Sequence, residues 1–116
     1  MSETANEMKR RWAEEDRARR LADMSALLST DSGRRLLMHL VTLAGVYRRS
    51  EATTEAGLAY EAARRDMGLE VISLGNAAAP QMVIAAMMER SREMSERAAQ
   101  IRQAEQQEKP KQEARA

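Results

Sequence analysis

The sequence contains no cysteine or phenylalanine, one histidine, two prolines and three aromatic residues among 116. Without cysteine, disulfides, thiolate metal sites and cysteine nucleophiles are excluded. The one histidine, His39, excludes a multi-histidine metal site, and no nucleophile or paired carboxylate accompanies it as a general base would require. We therefore expect no catalytic residues, no metal site, no cofactor and a protein that is not an enzyme.

Neither sign of charge dominates, since 19 Lys+Arg face 18 Asp+Glu for a net charge of +1. This balance differs from the strongly basic composition typical of nucleic-acid-binding domains. The first twenty residues are charged where a signal peptide needs an apolar run. The longest apolar run, 82–88, is far shorter than the roughly 18 residues that cross a bilayer. We expect synthesis in a cytoplasm and no membrane span.

Alanine, glutamate, arginine, glutamine and methionine are abundant, and all favour helix. The apolar spacing predicts an all-α chain, a small bundle of about four helices over residues 1–29, 34–44, 51–74 and 77–108. Thr30 or Asp31 is the expected N-cap of the second helix, and Ser50 that of the third. Gly45 is expected to stop the second helix.

The ends of the last two helices carry their own signals. Gly75 and Asn76 are expected to end the third helix, and Pro80 suits only the first turn of the fourth. Beyond Gln103 the chain is polar, which predicts fraying unless a partner orders it.

The second helix has the widest apolar face, which predicts the centre of the core. That face comprises Leu36, Leu40 and Leu43, flanked by Leu37, Val41 and Ala44. We expect a core domain over residues 31–90, with long projecting helical arms at 1–29 and 91–116, the latter ending in a polar tail. A core of ~60 residues buries only ~60% of its unfolded surface, so oligomerisation or docking on a larger partner is the expected source of stability.

Arginine pairs are candidate contacts to phosphates or to an acidic partner. Arg48 and Arg49 are the best of these, because they lie in a connection beside Tyr47. Arg34 and Arg35 form a second candidate pair. The alternative is a charged exterior, because residues 31–88 contain six arginines and six acids.

Two further features are candidate partner surfaces. Trp12 is the only tryptophan and lies in a charged helix, so it is either a satellite core residue or an interface anchor. On the fourth helix Met87, Met94 and Ile101 belong to an alternating three- and four-residue spacing that resembles a weak coiled-coil seam. Met88 joins Met87 and Met94 in a methionine cluster that would suit an adaptable protein surface.

Five short segments carry a family resemblance. They are Asp31-Ser32-Gly33-Arg34-Arg35-Leu36-Leu37, Leu43-Ala44-Gly45-Val46-Tyr47-Arg48-Arg49-Ser50, Arg64-Arg65-Asp66-Met67-Gly68-Leu69, Ala79-Pro80 and Met87-Met88. Their order and spacing over residues 31–90 resemble a family of small virion structural proteins of short-tailed bacteriophages related to a Bordetella phage.

The resemblance implies a structural subunit located in the virion and made in the host cytoplasm. Its setting would be the portal vertex, the internal core or the tail complex. Its expected partners are other virion proteins, further copies in a homo-oligomeric ring, and DNA phosphates. One alternative is a small helix-turn-helix-like DNA-binding regulator or packaging accessory, with residues 40–56 as its motif. A second is a coiled-coil scaffold or chaperone that is absent from the mature particle.

Overall fold

A computed structural model describes residues 2–115, and within that range the fold is all-α, as predicted. Four helices follow one another: α1 (Ala5–Leu28), α2 (Asp31–Leu43), α3 (Glu55–Ala78) and α4 (Pro80–Arg115). The chain forms two compact units, Met1–Ala86 and Met87–Ala116. The first unit holds α1, α2, α3 and the start of α4, and the rest of α4 forms the second.

Threonine side chains cap the first three helices. The Thr4 hydroxyl accepts the Glu7 N–H and the Glu7 side chain accepts the Thr4 N–H, so α1 begins with a capping box. Thr30 accepts the Gly33 N–H at 3.0 Å, which confirms Thr30 as the cap of α2.

The prediction that α3 begins after Ser50 is wrong. The cap is Thr54, whose hydroxyl accepts the Gly57 N–H at 3.1 Å. Ser50 instead donates its hydroxyl to the Glu61 carboxylate, a contact between the connection and α3. The hydroxyl of Ser50 is therefore occupied elsewhere, and residues 44–54 form a long non-helical connection.

Gly45 ends α2, as predicted. Its φ of 75° lies in the left-handed region, where a side chain is strained. The Gly45 N–H bonds to the Thr42 carbonyl at 3.0 Å and the Val46 N–H to the Val41 carbonyl at 3.4 Å. These two bonds form a Schellman motif, which satisfies carbonyls that the helix end leaves unpaired.

The core of the first unit is small and aliphatic. Its buried apolar side chains are Leu28, Leu37, Met38, Val41, Val83 and Ala86. Val83 and Ala86 confirm that the start of α4 joins this core. Leu28 is fully buried, and Leu21 and Met24 are half-buried, so the last two turns of α1 pack on this unit rather than project from it.

The apolar face of α2 is divided between the core and the solvent. Leu37 and Val41 are each 1% exposed, whereas Leu36, Leu40 and Leu43 are 48%, 42% and 57% exposed. The prediction that the latter three form the centre of the core is wrong. The apolar face is too wide for the core to cover all of it. Its flank, Leu37 and Val41, is buried in the core, and its middle remains exposed to solvent.

Two glycines allow helices to approach closely. Gly75 is buried inside α3, where a Cβ would lie 3.0 Å from Val83 and 3.7 Å from Leu28. The prediction that Gly75 and Asn76 end the helix is therefore wrong, because α3 runs on to Ala78 and Gly75 serves packing. Gly68 lies against Ala44 and Val46 in the same way.

The second unit is one long helical segment. Helix α4 continues to Arg115, beyond Gln103, where fraying is predicted in the absence of a partner. Its alanine, glutamine and glutamate residues are strong helix formers, which accounts for the continuation. Arg97 pairs with Glu93 one turn earlier, at 2.5 Å.

Candidate assembly surface

An apolar groove opens between α2 and α3. Leu40 and Leu43 line it from α2, and Met67 and Val71 line it from α3. Its volume is about 350 Å³, and Arg64 is the one charged residue in its lining. Gly68 lies at the base of the groove against Ala44 and Val46, the first residues after α2, and so lets α3 approach this end of α2 closely.

The groove side chains face solvent to an unusual degree for their type. Met67 is 72% exposed, in addition to the exposed leucines of α2. Single exposed apolar residues are ordinary, but contiguous apolar patches on a small chain mark interaction sites. This groove is the strongest candidate binding surface of the first unit.

Four arginines meet at one end of this groove. Arg48 and Arg49 come from the connection, and Arg64 and Arg65 from α3, around a small cavity of about 60 Å³. This cavity shares Leu43, Ala44 and Arg64 with the apolar groove, so the two surfaces are continuous. The one acidic residue that lines it is Glu61.

Arg64 and Arg65 attach the connection to α3. Arg64 Nη2 donates to the Leu43 carbonyl at the end of α2. Arg65 donates through Nε to the Gly45 carbonyl at 3.5 Å and through Nη2 to the Arg48 carbonyl at 3.3 Å. Arg64 also lies over the Tyr60 ring, 5.6 Å from its centroid.

Arg48 and Arg49 have a different role, since both side chains are exposed. Within residues 2–115, no carboxylate forms an ion pair with either of them. Tyr47 beside them is 67% exposed. The pair is evident from the sequence, but its meeting with Arg64 and Arg65 depends on the path of the connection.

The second candidate pair, Arg34 and Arg35, is divided between two environments. The Arg34 side chain is only 12% exposed; it pairs with Asp31 and donates from Nη1 to the Leu28 carbonyl at 3.0 Å. Arg34 therefore joins the end of α1 to the start of α2. Arg35 is exposed.

Trp12 lies on the exposed part of α1 and is itself 52% exposed. Every residue from 9 to 20 is exposed, so the indole belongs to no satellite core. Arg11 beside it bonds to Glu3 at 3.0 Å and to Glu15 at 3.3 Å. The hydrogen bond to Glu3 raises the pKa of the Arg11 guanidinium, so this charge is constant at physiological pH.

The second unit presents its apolar residues on one helix. Met88, Met94 and Ile101 are 59%, 37% and 58% exposed, and Met87 is half-buried. In the part of the chain that the structure describes, no cluster of three metal-ligating side chains occurs. None of the helices in that range combines the length and the apolar character that a bilayer span requires.

The geometry defines a class of protein: a small all-α chain whose candidate sites are exposed apolar and arginine-rich surfaces. Residues 24–89 match the family model described as Bbp19-like phage protein. That match covers more than half of the chain, so this protein belongs to the Bbp19-like phage protein family. The match confirms the resemblance to a phage family over residues 31–90. No curated protein and no solved structure matches the chain.

Proposed function

We propose that this protein is a non-enzymatic structural subunit of a tailed-phage particle. It associates by helix–helix contacts with other virion proteins at the portal vertex, the internal core or the tail complex. The observation that carries the proposal is the open apolar groove between α2 and α3, in a chain that belongs to a phage family. A small core that leaves its widest apolar face open gains stability when a neighbouring subunit covers it.

The candidate residues have distinct roles in this proposal. Leu40, Leu43 and Met67 supply the apolar contact, and Arg48 and Arg49 orient the partner through acids or DNA phosphates. In the second unit, Met87, Met88, Met94 and Ile101 form a separate helix face for another neighbour. No cofactor enters this function.

The experiment is absolute quantification of the protein in purified particles of the phage that encodes it, before and after triggered DNA release. Trypsin cuts this arginine-rich chain into the convenient peptides 21–34 and 36–48, which isotope-labelled standards can quantify. We expect a small fixed copy number, well below that of the major capsid protein. Loss on DNA release would assign the protein to the internal core, and retention to the portal or tail.

The matched control is a particle preparation from a phage with the gene deleted, propagated on a complementing host and then grown for its last cycle on a host that does not supply the protein. An abundant host protein followed in the same fractions measures contamination. Absence of the protein from washed particles that carry the intact gene would overturn the virion proposal and favour a scaffold that leaves during assembly.

The helix-turn-helix alternative is less well supported by the geometry. That motif joins its two helices by a turn of about 3–4 residues. Here the helices at the expected positions, α2 and α3, are separated by residues 44–54. The connection is tied to α3 by Arg64 and Arg65 and does not form a tight turn.

A further inference from the structure

The groove has a chemistry that restricts what can fill it. One part is apolar, lined by Leu40, Leu43 and Met67, and the adjoining end carries the arginines. A phosphate backbone would satisfy the arginines but leave the apolar part uncovered. The occupant that matches both parts is an amphipathic helix with a large apolar side chain followed, about one turn later, by acids.

One exposed segment of this chain has that pattern. On α1, Met8, Trp12 and Asp16 follow one another at intervals of four residues, so they share a face. Residues 14–16 are Glu-Glu-Asp, which is the only run of three consecutive acids in the sequence. Within residues 2–115, Glu14 and Asp16 form no ion pair.

We propose that the Trp12 face of α1 in one copy occupies the α2–α3 groove of a second copy. We call residues 8–16 the donor segment and the groove with its arginine end the acceptor. This inference rests on the proposed function, because it supplies the contact by which copies of a structural subunit associate.

The size of the groove suits an indole, and Asp16 supplies a charge opposite to that of the arginine end. A groove of about 350 Å³ lies within the range of pockets that hold small molecules, so it has room for an indole ring. The donor segment also carries Lys9, Arg10 and Arg11, and Arg11 pairs with Glu15, so the charge contact is assigned to Asp16. Asp16 lies about 6 Å along the helix axis from Trp12, since each residue adds about 1.5 Å. With the indole beside Leu40 and Leu43, Asp16 reaches the adjoining arginine end.

The partner we assign is a second copy, because one chain carries both surfaces and does not join them. Trp12 is half-exposed, and the leucines and methionine of the groove are exposed as well. Within one chain α1 runs beside α3, where Arg17, Arg20 and Leu21 share a cavity with Met67 and Val71, but Trp12 does not line the groove.

The contact joins two different surfaces, so it is heterologous. Each added copy leaves one donor and one acceptor free at the ends of the assembly. Such contacts close into a ring when the rotation between copies allows it and otherwise form open filaments. A ring is the assembly expected of this protein, and the donor–acceptor contact is the one that builds it.

The test is a complementation experiment on the full-length purified protein, read as mass by light scattering over a concentration series. Trp12→Ala removes the donor anchor, and Leu40→Asp places a charge in the acceptor. We expect wild type to form species larger than a dimer and each variant to remain monomeric. An equimolar mixture of the two variants should form a 1:1 dimer and grow no further.

Both changes fall on exposed positions, and circular dichroism should show unchanged helix content. Leu58→Asp is the matched control for the acceptor, because Leu58 is 48% exposed on α3 but does not line the groove. Ile84→Ala is a second control, because Ile84 is 56% exposed at the start of α4 and does not line the groove. Both controls should associate as wild type does.

A charge exchange tests the arginine end separately. Arg49→Glu and Asp16→Arg should each weaken association at least tenfold. Mixing the two should restore species larger than a dimer, because both contacts in an alternating assembly then join opposite charges. Three results would overturn the inference. They are a monomeric wild type, a variant mixture that stays monomeric, and an Arg49→Glu protein that associates normally but loses binding to duplex DNA. Particle quantification remains an independent test of the proposed function, since a chain monomeric alone can still be present in the virion.

Discussion

At the scale of single residues, Gly68 determines how closely α3 approaches the start of the connection that follows α2. A Cβ built there would lie 2.6 Å from both Ala44 Cβ and Val46 Cγ2, well inside van der Waals contact. The same approach shapes the base of the groove. Helix propensity and packing therefore act in opposite directions at this position.

We predict that Gly68→Ala lowers the free energy of unfolding by about 1 kcal/mol. Overpacking costs about 1–3 kcal/mol, and the helix propensity of alanine offsets about 1 kcal/mol of that. The measurement is urea unfolding followed by far-ultraviolet circular dichroism, in the Trp12→Ala background so that association does not contribute.

The control for this prediction is Ala63→Gly at an exposed position of the same helix. It should lose about 1 kcal/mol from propensity alone. If propensity also governed position 68, Gly68→Ala would be the more stable protein, and that result would contradict the packing explanation.

At the scale of elements, α2 presents a buried side and an exposed apolar side on one helix. Adjacent residues Leu36 and Leu37 have the same side chain but are 48% and 1% exposed. One faces solvent beside the groove leucines, and the other lies in the core. They form a matched pair for distinguishing folding from association.

We predict that Leu37→Ala destabilises the protein by about 2–5 kcal/mol, the range for truncating a buried leucine. Leu36→Ala should cost less than about 1 kcal/mol, because much of its side chain is already in water. Thermal or urea unfolding of both variants gives the comparison, and equal losses would show that the two sides of α2 are buried alike.

The sequence predicts the number and type of these elements because apolar periodicity and capping chemistry are local. It mislocates the start of α3 because Ser50 and Thr54 are both good caps, each followed by a glutamate. The contact between Ser50 and Glu61 decides between them, and that contact is tertiary. The predicted end of α3 is wrong for a similar reason. In the sequence, a glycine that ends a helix cannot be told from a glycine that lets a neighbouring helix pack closely.

The candidate site was predictable only in its parts. Arg48, Arg49 and Trp12 are conspicuous in the sequence by residue type. Their relation to Arg64 and to the groove depends on how residues 44–54 fold back on α3, which no local pattern specifies. Which side of the α2 apolar face is buried likewise depends on where the end of α1 packs.

At the scale of the whole molecule, the first unit has a core without aromatic residues. All three aromatic side chains lie outside it, with Trp12, Tyr47 and Tyr60 52%, 67% and 63% exposed. Aromatic rings held rigidly in an asymmetric interior produce near-ultraviolet circular dichroism. Here the rings that could give this signal are largely in water, so the near-ultraviolet dichroism of the monomer should be weak.

A natively packed monomer of this protein should therefore combine strong far-ultraviolet and weak near-ultraviolet dichroism. Those two signals together are usually taken to indicate a molten globule. Cooperative unfolding and the absence of dye binding would distinguish the native monomer from that state. If copies assemble through Trp12 as proposed, the indole becomes fixed, and the near-ultraviolet band should appear without any gain in helix. In this chain the near-ultraviolet band would therefore report association of copies, whereas the far-ultraviolet signal reports folding of the monomer.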